Sequence, residues 1–362
     1  MKTKIRVCIV GLGRAGRFHL TSIKNLDFFD LKYVIDPSLS TQDDIVQNND
    51  FILLEDIEEA LVDDELDAAI ISPPTQFHFD CVTRFLKAGK HVFTEKPLGR
   101  SLAEIQTCFE LSAEREKALF LGFQRRYDRN FRALKSRVET LEPVKIIKAS
   151  SRDNPQPSLD YLKISGNIFH DMLIHDFDML IFLLGNEPPI SVFAYGHAYD
   201  EDIRNIPDLD TVMVTLKYKT GLICSIDTSR NAVYGYDQRL EIFGEGGMAI
   251  AENERDHTVQ MHTSKGMEVA AINESFPKRY KDAYAAEIRD FGEAISEGRL
   301  SNVPRDECLL GHLLANAAHQ SVETGAPVNF ENYLDSLGVN LVGTTSFRPL
   351  HSGPRAASRP SH

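Results

Sequence analysis

Asp171, His175 and Asp178 recur at steps of four and three in the segment GNIFHDMLIHDFDMLIFLLG, residues 166–185. The glycines at its ends and the absence of proline predict a helix, and its many apolar residues predict that most of it is buried. The steps place the three polar side chains on one face. Buried charge is costly unless it is paired or used in chemistry. Histidine, with an unperturbed pKa of about 6.5, suits general-base catalysis, and a carboxylate beside it would orient the ring.

Two other interpretations of this polar stripe are open at this point. Histidine and aspartate also form metal sites, and a buried His–Asp pair can serve helix packing alone. His170 and Asp176 point roughly elsewhere on the helix and are expected to be structural.

A glycine pattern near the N-terminus predicts a dinucleotide site. Gly11, Gly13 and Gly16 form GxGxxG directly after an apolar strand pattern and before a helical one. Such glycines allow a tight turn and close approach of a pyrophosphate to the helix N-terminus. Asp36 ends the next strand pattern about 20 residues later, where a carboxylate accepts hydrogen bonds from ribose hydroxyls. An ordinary strand–turn–helix would show the glycines too, so the prediction depends on the joint pattern.

Two further segments follow apolar strand patterns, namely SPPTQFH from Ser72 to His78 and EKP from Glu95 to Pro97. Ligands of open parallel sheets bind at the carboxyl ends of the strands. A cis bond before Pro97 would direct Lys96 into the crevice, where it could stabilise developing alkoxide charge. By themselves, the two segments are also compatible with a rigid turn and a solvated lysine.

The elements that must position these residues fall into two groups. Up to residue 122, strands alternate with helices, which predicts parallel βαβ units in a doubly wound Rossmann domain. Residues 123–335 read as strands joined by short connections and interrupted by helices at 166–185, about 283–297 and about 305–324. This pattern predicts an α+β domain with a large, mostly antiparallel open sheet. Residues 336–362 end in a proline- and arginine-rich stretch and are expected to be a disordered tail.

Composition narrows the class of partner and the compartment. The chain has 362 residues and a formal net charge of -13, which argues against nucleic acid or an anionic membrane as partner. Its five cysteines are scattered and form no CxxC pair, which favours a reducing compartment over a disulfide scaffold. The N-terminus lacks a signal-peptide pattern, and no apolar run reaches the length of a membrane span. We therefore expect a cytoplasmic protein.

The motifs together resemble the Gfo/Idh/MocA oxidoreductase family. They are the glycine turn with its aspartate, SPPTQFH, EKP, GFQRRYD at 122–128 and the HDMLIHDFD helix, in this order and spacing. The helix and the later YGYDQRLEIFGEGG are similar to the inositol 2-dehydrogenase branch. The resemblance covers about residues 4–335. It implies an NAD-dependent dehydrogenase, without a metal, that oxidises a secondary hydroxyl of a cyclic polyol and forms dimers or tetramers through the second sheet.

The resemblance also implies roles for individual residues. Lys96 and Asp171 would hold the reacting carbinol, and His175, with Asp171 as its partner, would take the proton. Arg126 and Tyr236 would contact the polyol, although Arg125 or Tyr234 could serve instead, and Asn154 could line the pocket. The residues expected to bind NAD are Gly11, Gly13, Arg14, Ala15, Gly16, Asp36, Ser72, Pro73, Thr75, His78, Glu95 and Lys96.

Rival functions follow from the same residues. Another NAD(P)-dependent sugar or polyol dehydrogenase would use the same scaffold. A non-catalytic, nucleotide-sensing regulator tends to lack the lysine or the histidine, and this chain has both. A periplasmic oxidoreductase with tightly bound NADP fits poorly with Asp36. The sequence does not specify the inositol isomer, the direction of flux or the oligomeric state.

Overall fold

A computed structural model describes residues 4–341 of the chain. The strands are β1 Ile5–Val10, β2 Phe29–Ile35, β3 Ile52–Leu54, β4 Ala68–Ile71, β5 His91–Glu95, β6 Leu119–Gly122, β7 Val144–Arg152, β8 Ser191–His197, β9 Thr211–Lys217, β10 Ile223–Ser229, β11 Asp237–Gly244, β12 Gly247–Ala251, β13 Gln260–Thr263, β14 Gly266–Val269 and β15 Val328–Asn329. The helices are α1 Arg14–Lys24, α2 Asp44–Gln47, α3 Glu58–Val62, α4 His78–Lys87, α5 Leu102–Arg115, α6 Arg129–Lys135, α7 Val138–Leu141, α8 Leu159–Leu162, α9 Ile174–Leu184, α10 Glu201–Arg204, α11 Phe276–Arg279, α12 Lys281–Glu297, α13 Arg305–Thr324 and α14 Phe330–Leu337.

The first six strands form one sheet in the order β3-β2-β1-β4-β5-β6, and all its strand pairs are parallel. Strand β1 is buried almost throughout because helices cover both faces of the sheet. The strand order reverses between β1 and β4, and ligands of doubly wound sheets bind in the crevice at this point. The predicted Rossmann fold is confirmed.

The second sheet has seven strands in the order β12-β11-β7-β10-β9-β8-β15. Its pairs are antiparallel except β7 with β10, which is parallel. Strand β9 alternates buried and exposed residues, so one sheet face packs on helices while the other is open. The predicted mostly antiparallel open sheet is confirmed.

The chain does not separate cleanly at the predicted boundary of residues 122 and 123, which stays a prediction. Helix α12 lies late in the sequence, yet Ile288, Phe291 and Ala294 pack in the same apolar cluster as Ile9 and Phe93 of the first sheet. This packing ties the two halves together beneath the crevice. Ser336 and Leu337, placed in the tail by the sequence, end helix α14, and residues 342–362 lie outside the described residues.

The polar helix differs from the regular helix that the sequence predicts. Its first turn, Phe169–Leu173, is a π-helix, and the α-helix α9 follows directly. A π-turn carries more residues than an α-turn and rotates the side chains on either side of it relative to each other. Although Asp171 and His175 are four residues apart, their side chains therefore do not lie one above the other as they would in a regular α-helix.

No helix among residues 4–341 combines the length and the apolar character that crossing a membrane requires.

Candidate active site

A cavity of about 500 Å³ lies between the two halves of the chain. Most of its walls are formed by loops at the carboxyl ends of the parallel strands and by the start of the polar helix. Its lining includes Gly13, Arg14, Ala15, Ser72, Pro73, Thr75, His78, Glu95, Lys96, Arg125, Asp153, Asn154, Tyr161, Asp171, His175, Tyr236, Phe276 and Tyr284. Most of the predicted site residues therefore share one cavity, although Gly11, Gly16, Asp36 and Arg126 are not in its lining.

The glycine loop is packed so closely that two of its glycines cannot be replaced. Gly11 has a φ of +82°, and a Cβ there would lie 2.6 Å from the Pro73 nitrogen. A Cβ on Gly16 would lie 2.1 Å from the Gly11 carbonyl oxygen. A Cβ on Gly13 would meet nothing within 4 Å, so this glycine borders open space at the start of α1. The loop thus leaves room for a pyrophosphate against the helix N-terminus, as an NAD site requires.

Asp36 lies at the end of β2 and is held against the glycine loop. Its Oδ2 accepts a hydrogen bond from the Leu12 amide at 2.8 Å, and its Oδ1 accepts from the Ser38 amide at 2.9 Å and hydroxyl at 2.6 Å. Partial burial favours the neutral acid, but the bonds from Ser38 and Leu12 outweigh it and lower the pKa of Asp36. The carboxylate stays ionised and fits a ribose diol better than a 2′-phosphate.

His78 connects two cavity loops through its ring. Its Nδ1 lies 2.8 Å from the Pro97 carbonyl oxygen and its Nε2 lies 2.9 Å from the Pro73 carbonyl oxygen. Burial lowers the pKa of His78. A neutral imidazole has one N–H and can donate to only one of these carbonyl oxygens, so the ring lies between the SPPTQFH and EKP loops and bonds one of them.

Lys96 and Asp171 meet inside the cavity. The Lys96–Pro97 peptide is cis, and Lys96 Nζ donates to the Asp171 carbonyl oxygen at 2.6 Å and to Oδ1 at 3.1 Å. Asp171 also accepts from the Tyr161 hydroxyl at 2.8 Å and, through Oδ2, from Arg230 at 3.0 Å. Burial opposes its ionisation, but Lys96 and Arg230 overcome this and lower the pKa of Asp171 to about 2.

His175 is the candidate proton acceptor in the cavity. Its buried Nδ1 has no hydrogen-bond partner, and its ring stands edge-on to Phe123 at 5.9 Å between centroids. Burial, and then the charges of Lys96 and Arg125, lower the pKa of His175 well below its usual value. The imidazole is therefore neutral near pH 7 and able to accept a proton.

The predicted pairing of Asp171 with His175 is corrected by these contacts. The side chain of Asp171 bonds Lys96, Tyr161 and Arg230, and none of its bonds reaches the imidazole. The π-helical turn between the two residues explains the difference. Asp171 holds the lysine and does not orient the histidine.

Of the two arginines in QRRYD, Arg125 lines the cavity and Arg126 does not. Arg126 is bonded to Asp178 at 2.7 and 3.0 Å and lies 2.8 Å from Glu307, so its guanidinium is directed away from the cavity. Arg125 bonds Asp176 at 2.6 Å and lines the cavity. The prediction that Arg126 contacts the polyol does not fit this arrangement, and Arg125 takes its place as candidate. Asp178, the third member of the stripe, is the counter-ion of Arg126.

Tyr236 and Asn154 line the cavity as predicted, with the Asn154 amide donating to the Glu274 carbonyl oxygen at 2.8 Å. Tyr234 is half exposed and bonds Asp237 at 2.6 Å. Asp153, which was not among the predicted site residues, also lines the cavity. Burial and the nearby Asp171 raise the pKa of Asp153 to about 7, against the opposing charges of Arg230, Arg125 and Arg14.

Asp153 follows β7 directly, and its place at a strand end was the signal that could have found it. Two further residues that contact Asp171, namely Tyr161 and Arg230, were also missed. Arg230 follows β10 and is fully buried between Asp171 and Asp208. Nothing local in the sequence marks an arginine at a strand end as the counter-ion of a residue 59 positions away.

Comparisons with known proteins show the family of this chain. Residues 5–123 match the family model described as "Oxidoreductase family, NAD-binding Rossmann fold", and residues 134–250 match the Gfo/Idh/MocA C-terminal domain. A myo-inositol 2-dehydrogenase from Thermotoga maritima is 36% identical over 91% of this chain and 100% of its own length. An inositol 2-dehydrogenase from Rhizobium meliloti is 34% identical over 88% of this chain and 97% of its own.

Solved structures show the same likeness. The scyllo-inositol dehydrogenase from Lactobacillus casei, crystallised with NAD(H) and scyllo-inositol, superimposes with a TM-score of 0.83 at 26% identity. The match covers 91% of this chain and 100% of that one. With both domain models and full-length relatives in agreement, the chain belongs to the Gfo/Idh/MocA family of NAD-binding oxidoreductases.

Proposed function

We propose that this protein is an NAD-dependent dehydrogenase that oxidises a secondary ring hydroxyl of a cyclic polyol, with myo-inositol as substrate and the 2-keto-inositol as product. The observation that carries the proposal is that His175, which burial keeps neutral, lines the same cavity as the Lys96–Asp171 pair and the glycine loop. The names of the full-length relatives support the choice of an inositol.

Different residues would bind different parts of NAD. NAD, when bound, supplies the acceptor for the hydride that leaves the carbinol carbon. The amides at the start of α1 would hold the pyrophosphate, and Asp36 would accept hydrogen bonds from the adenosine ribose. Ser72 keeps the glycine loop in place, because its hydroxyl donates to the Gly11 carbonyl oxygen at 2.8 Å.

The proton steps belong to this chain's own side chains. Lys96 donates a hydrogen bond to the carbinol oxygen and stabilises the negative charge that develops on it. The imidazole of His175 accepts the hydroxyl proton as the carbon–hydrogen bond breaks, which leaves a ketone and an imidazolium. Asp171, ionised and bonded to Lys96, holds the ammonium group in the cavity. Positioned general-base catalysis of this kind is typically worth about 10²–10⁴-fold.

The charges around the cavity favour an uncharged polyol over a sugar phosphate. Lys96 and Arg230 are both paired with Asp171, and Arg125 is paired with Asp176. These cations are already neutralised, while Asp153 and Asn154 present oxygen and amide groups that suit hydroxyls. A phosphate dianion would add negative charge to a cavity that three acidic residues already line, namely Glu95, Asp153 and Asp171.

The open face of the second sheet supports the proposal of a homodimer or homotetramer. Tyr195, Met213, Ile223, Phe243 and Met248, from five strands of that sheet, are exposed large apolar residues. Apolar patches mark interaction surfaces, and in a two-fold homodimer this face of one copy would be buried against the same face of the other. The five cysteines are free thiols, which fits the proposed cytoplasmic location.

The test is a substrate panel with purified protein and NAD, in which reduced nicotinamide is followed by its absorbance. The panel holds inositol isomers, unphosphorylated aldoses and sugar phosphates. We expect myo-inositol or a close isomer to give the highest kcat/KM. An aldose in first place would favour the sugar-dehydrogenase alternative, and a sugar phosphate about tenfold better than every inositol would overturn the proposal.

A further inference from the structure

Arg14 connects the glycine loop to the other half of the cavity. It is the first residue of α1, and its guanidinium carbon lies 4.6 Å from the ring centroid of Phe276 and 5.4 Å from that of Tyr161. Both distances fit cation–π contacts. The loop that would hold the pyrophosphate therefore touches Tyr161 through a charged side chain.

The other end of Tyr161 reaches the catalytic pair. Its hydroxyl donates to Asp171 Oδ1 at 2.8 Å, and the same oxygen accepts from Lys96 at 3.1 Å. Burial, and then the neighbouring Asp171 carboxylate, raise the pKa of Tyr161 above its ordinary value. The phenol keeps its proton and acts toward Asp171 as a donor, so the position of the tyrosine ring controls one of the bonds that place this carboxylate.

We propose that Tyr161 is a positioning residue that couples dinucleotide binding to polyol binding through Arg14 and Asp171. A pyrophosphate on the loop would restrict the Arg14 guanidinium by charge attraction, and the stacked ring of Tyr161 would be restricted with it. The tyrosine hydroxyl then holds Asp171, and Asp171 holds the Lys96 ammonium toward the carbinol. The inference rests on the proposed function, since the second ligand is a polyol.

Coupling of this kind is reciprocal and can be measured without turnover. NADH and myo-inositol are both reduced species, so they form a ternary complex that does not react. The chain contains no tryptophan, so NADH fluorescence is observed without tryptophan energy transfer. The dissociation constant of NADH is measured with and without saturating myo-inositol, and the ratio of the two constants is the coupling factor.

We expect the unaltered protein to bind NADH at least about fivefold more tightly in the presence of myo-inositol. Tyr161→Phe retains the ring beneath Arg14 and removes only the hydroxyl. It should bring the coupling factor to about one while leaving the affinity for NADH alone unchanged. Arg14→Gln should weaken NADH binding and also lower the coupling factor, and adding it to Tyr161→Phe should reduce the factor no further.

Matched controls are Tyr199→Phe and Arg115→Gln, which alter an exposed tyrosine and an exposed arginine away from the cavity. Both should keep the coupling factor of the unaltered protein. Phe276→Leu removes the other face of the Arg14 stack and serves as a second variant if Tyr161→Phe fails to fold. It should lower the coupling factor while the Tyr161 hydroxyl remains in place.

Three negative results are distinguishable. If myo-inositol is oxidised and bound but Tyr161→Phe keeps the original coupling factor, the inference is overturned and the proposed function stands. The inference is likewise overturned, with the proposed function intact, if the unaltered protein shows a coupling factor of one. If neither myo-inositol nor its isomers are bound or oxidised, the proposed function itself fails, and the inference fails with it.

Discussion

Lys96 and Asp171 meet between the two halves of the chain, with the lysine Nζ 2.6 Å from the Asp171 carbonyl oxygen and 3.1 Å from its Oδ1. The lysine comes from the end of β5 in the parallel sheet, while the aspartate comes from the π-helical turn beneath the second sheet. This contact connects the dinucleotide half to the polyol half. The proposed mechanism depends on this contact, because the ammonium that would bind the carbinol oxygen is held by a residue of the opposite domain.

Lys96→Met tests this contact directly. We expect kcat with NAD and myo-inositol to fall about 10²-fold or more, since the charge that stabilises the developing alkoxide is lost. KM for myo-inositol should also rise, by a larger factor than the dissociation constant of NAD, to which Lys96 is also expected to contribute. Steady-state kinetics and calorimetric titration with NAD measure these effects, and Lys87→Met, at an exposed lysine on α4, is the control. Retention of most of the activity by Lys96→Met would remove the lysine from the mechanism.

His175→Ala tests the general base. We expect kcat to fall about 10²–10⁴-fold with NAD binding nearly intact. The base is active when neutral, so kcat/KM of the unaltered protein should fall as the pH drops through the lowered pKa of His175, below about 6.5. That acidic limb should vanish in the variant.

The control for His175→Ala is His262→Ala, at an exposed histidine of β13. Tyr280 and Tyr284 are the alternative bases if the variant keeps its activity. Burial raises the pKa of Tyr280 to about 12 and also raises that of Tyr284, so neither would ionise near neutral pH. If kcat/KM of His175→Ala still falls at low pH, the base is a residue other than His175, Tyr280 and Tyr284.

Asp36 should select NAD over NADP. Its ionised carboxylate accepts hydrogen bonds from a ribose diol but repels a 2′-phosphate. Asp36→Ser should lower the ratio of kcat/KM for NAD to kcat/KM for NADP. Adding Ser38→Arg should lower this ratio further, because it supplies a cation for the 2′-phosphate. Asp36→Asn separates charge from shape, because it keeps the size of the side chain and removes the repulsion. Equal kcat/KM for both cofactors in the unaltered protein would contradict the assignment.

Arg125 and Arg126 should behave differently when each is replaced by glutamine. Arg126→Gln leaves Asp178 buried without its partner and should cost about 3–5 kcal/mol in the free energy of unfolding. Arg125→Gln should be destabilising too, and it should also raise KM for myo-inositol, because Arg125 lines the cavity. Urea unfolding measures the loss of stability in both variants, and steady-state kinetics of the folded variants measure KM for myo-inositol. A selective rise in KM from Arg126→Gln would restore the original prediction.

Glu287 should be a neutral acid. It is fully buried, neither of its carboxyl oxygens has a hydrogen-bond partner, and it lies near Glu95 and His19, with one ligand atom of each within 4.8 Å of the others. Burial, and then the charge of Glu95, raise the pKa of Glu287 well above its ordinary value. A carboxyl group whose pKa is raised in the folded state stabilises the protein at pH values below its unfolded pKa of about 4.3. This contribution is lost as the pH rises through the folded pKa.

Glu287→Gln should therefore flatten the loss of stability between about pH 4.3 and neutral pH, as measured by urea unfolding across that range. Near neutral pH it should be at least as stable as the unaltered protein. Glu293→Gln, at an exposed glutamate of the same helix, should leave the pH dependence unchanged. If purified protein instead holds one equivalent of a divalent metal that Glu287→Gln loses, the carboxylate is ionised and the prediction fails.

The sequence by itself determined the class of both sheets and about half of the cavity lining. Alternating strand and helix patterns predict a parallel sheet, and loops after parallel strands must gather at one edge, so the glycine loop, Ser72 and Lys96 were expected to meet. These are local signals combined with a topological rule, and neither requires knowledge of side-chain partners.

Only the tertiary structure decided how the buried charges are paired. The π-helical turn at Phe169–Leu173 cannot be read from helical spacing, and it directs Asp171 to Lys96, Tyr161 and Arg230 and away from His175. Which of two adjacent arginines faces the cavity depends on Asp176 and Asp178, some 50 residues away in sequence. A buried charge must find an opposite charge wherever packing brings one within about 3 Å, and no local pattern specifies that partner.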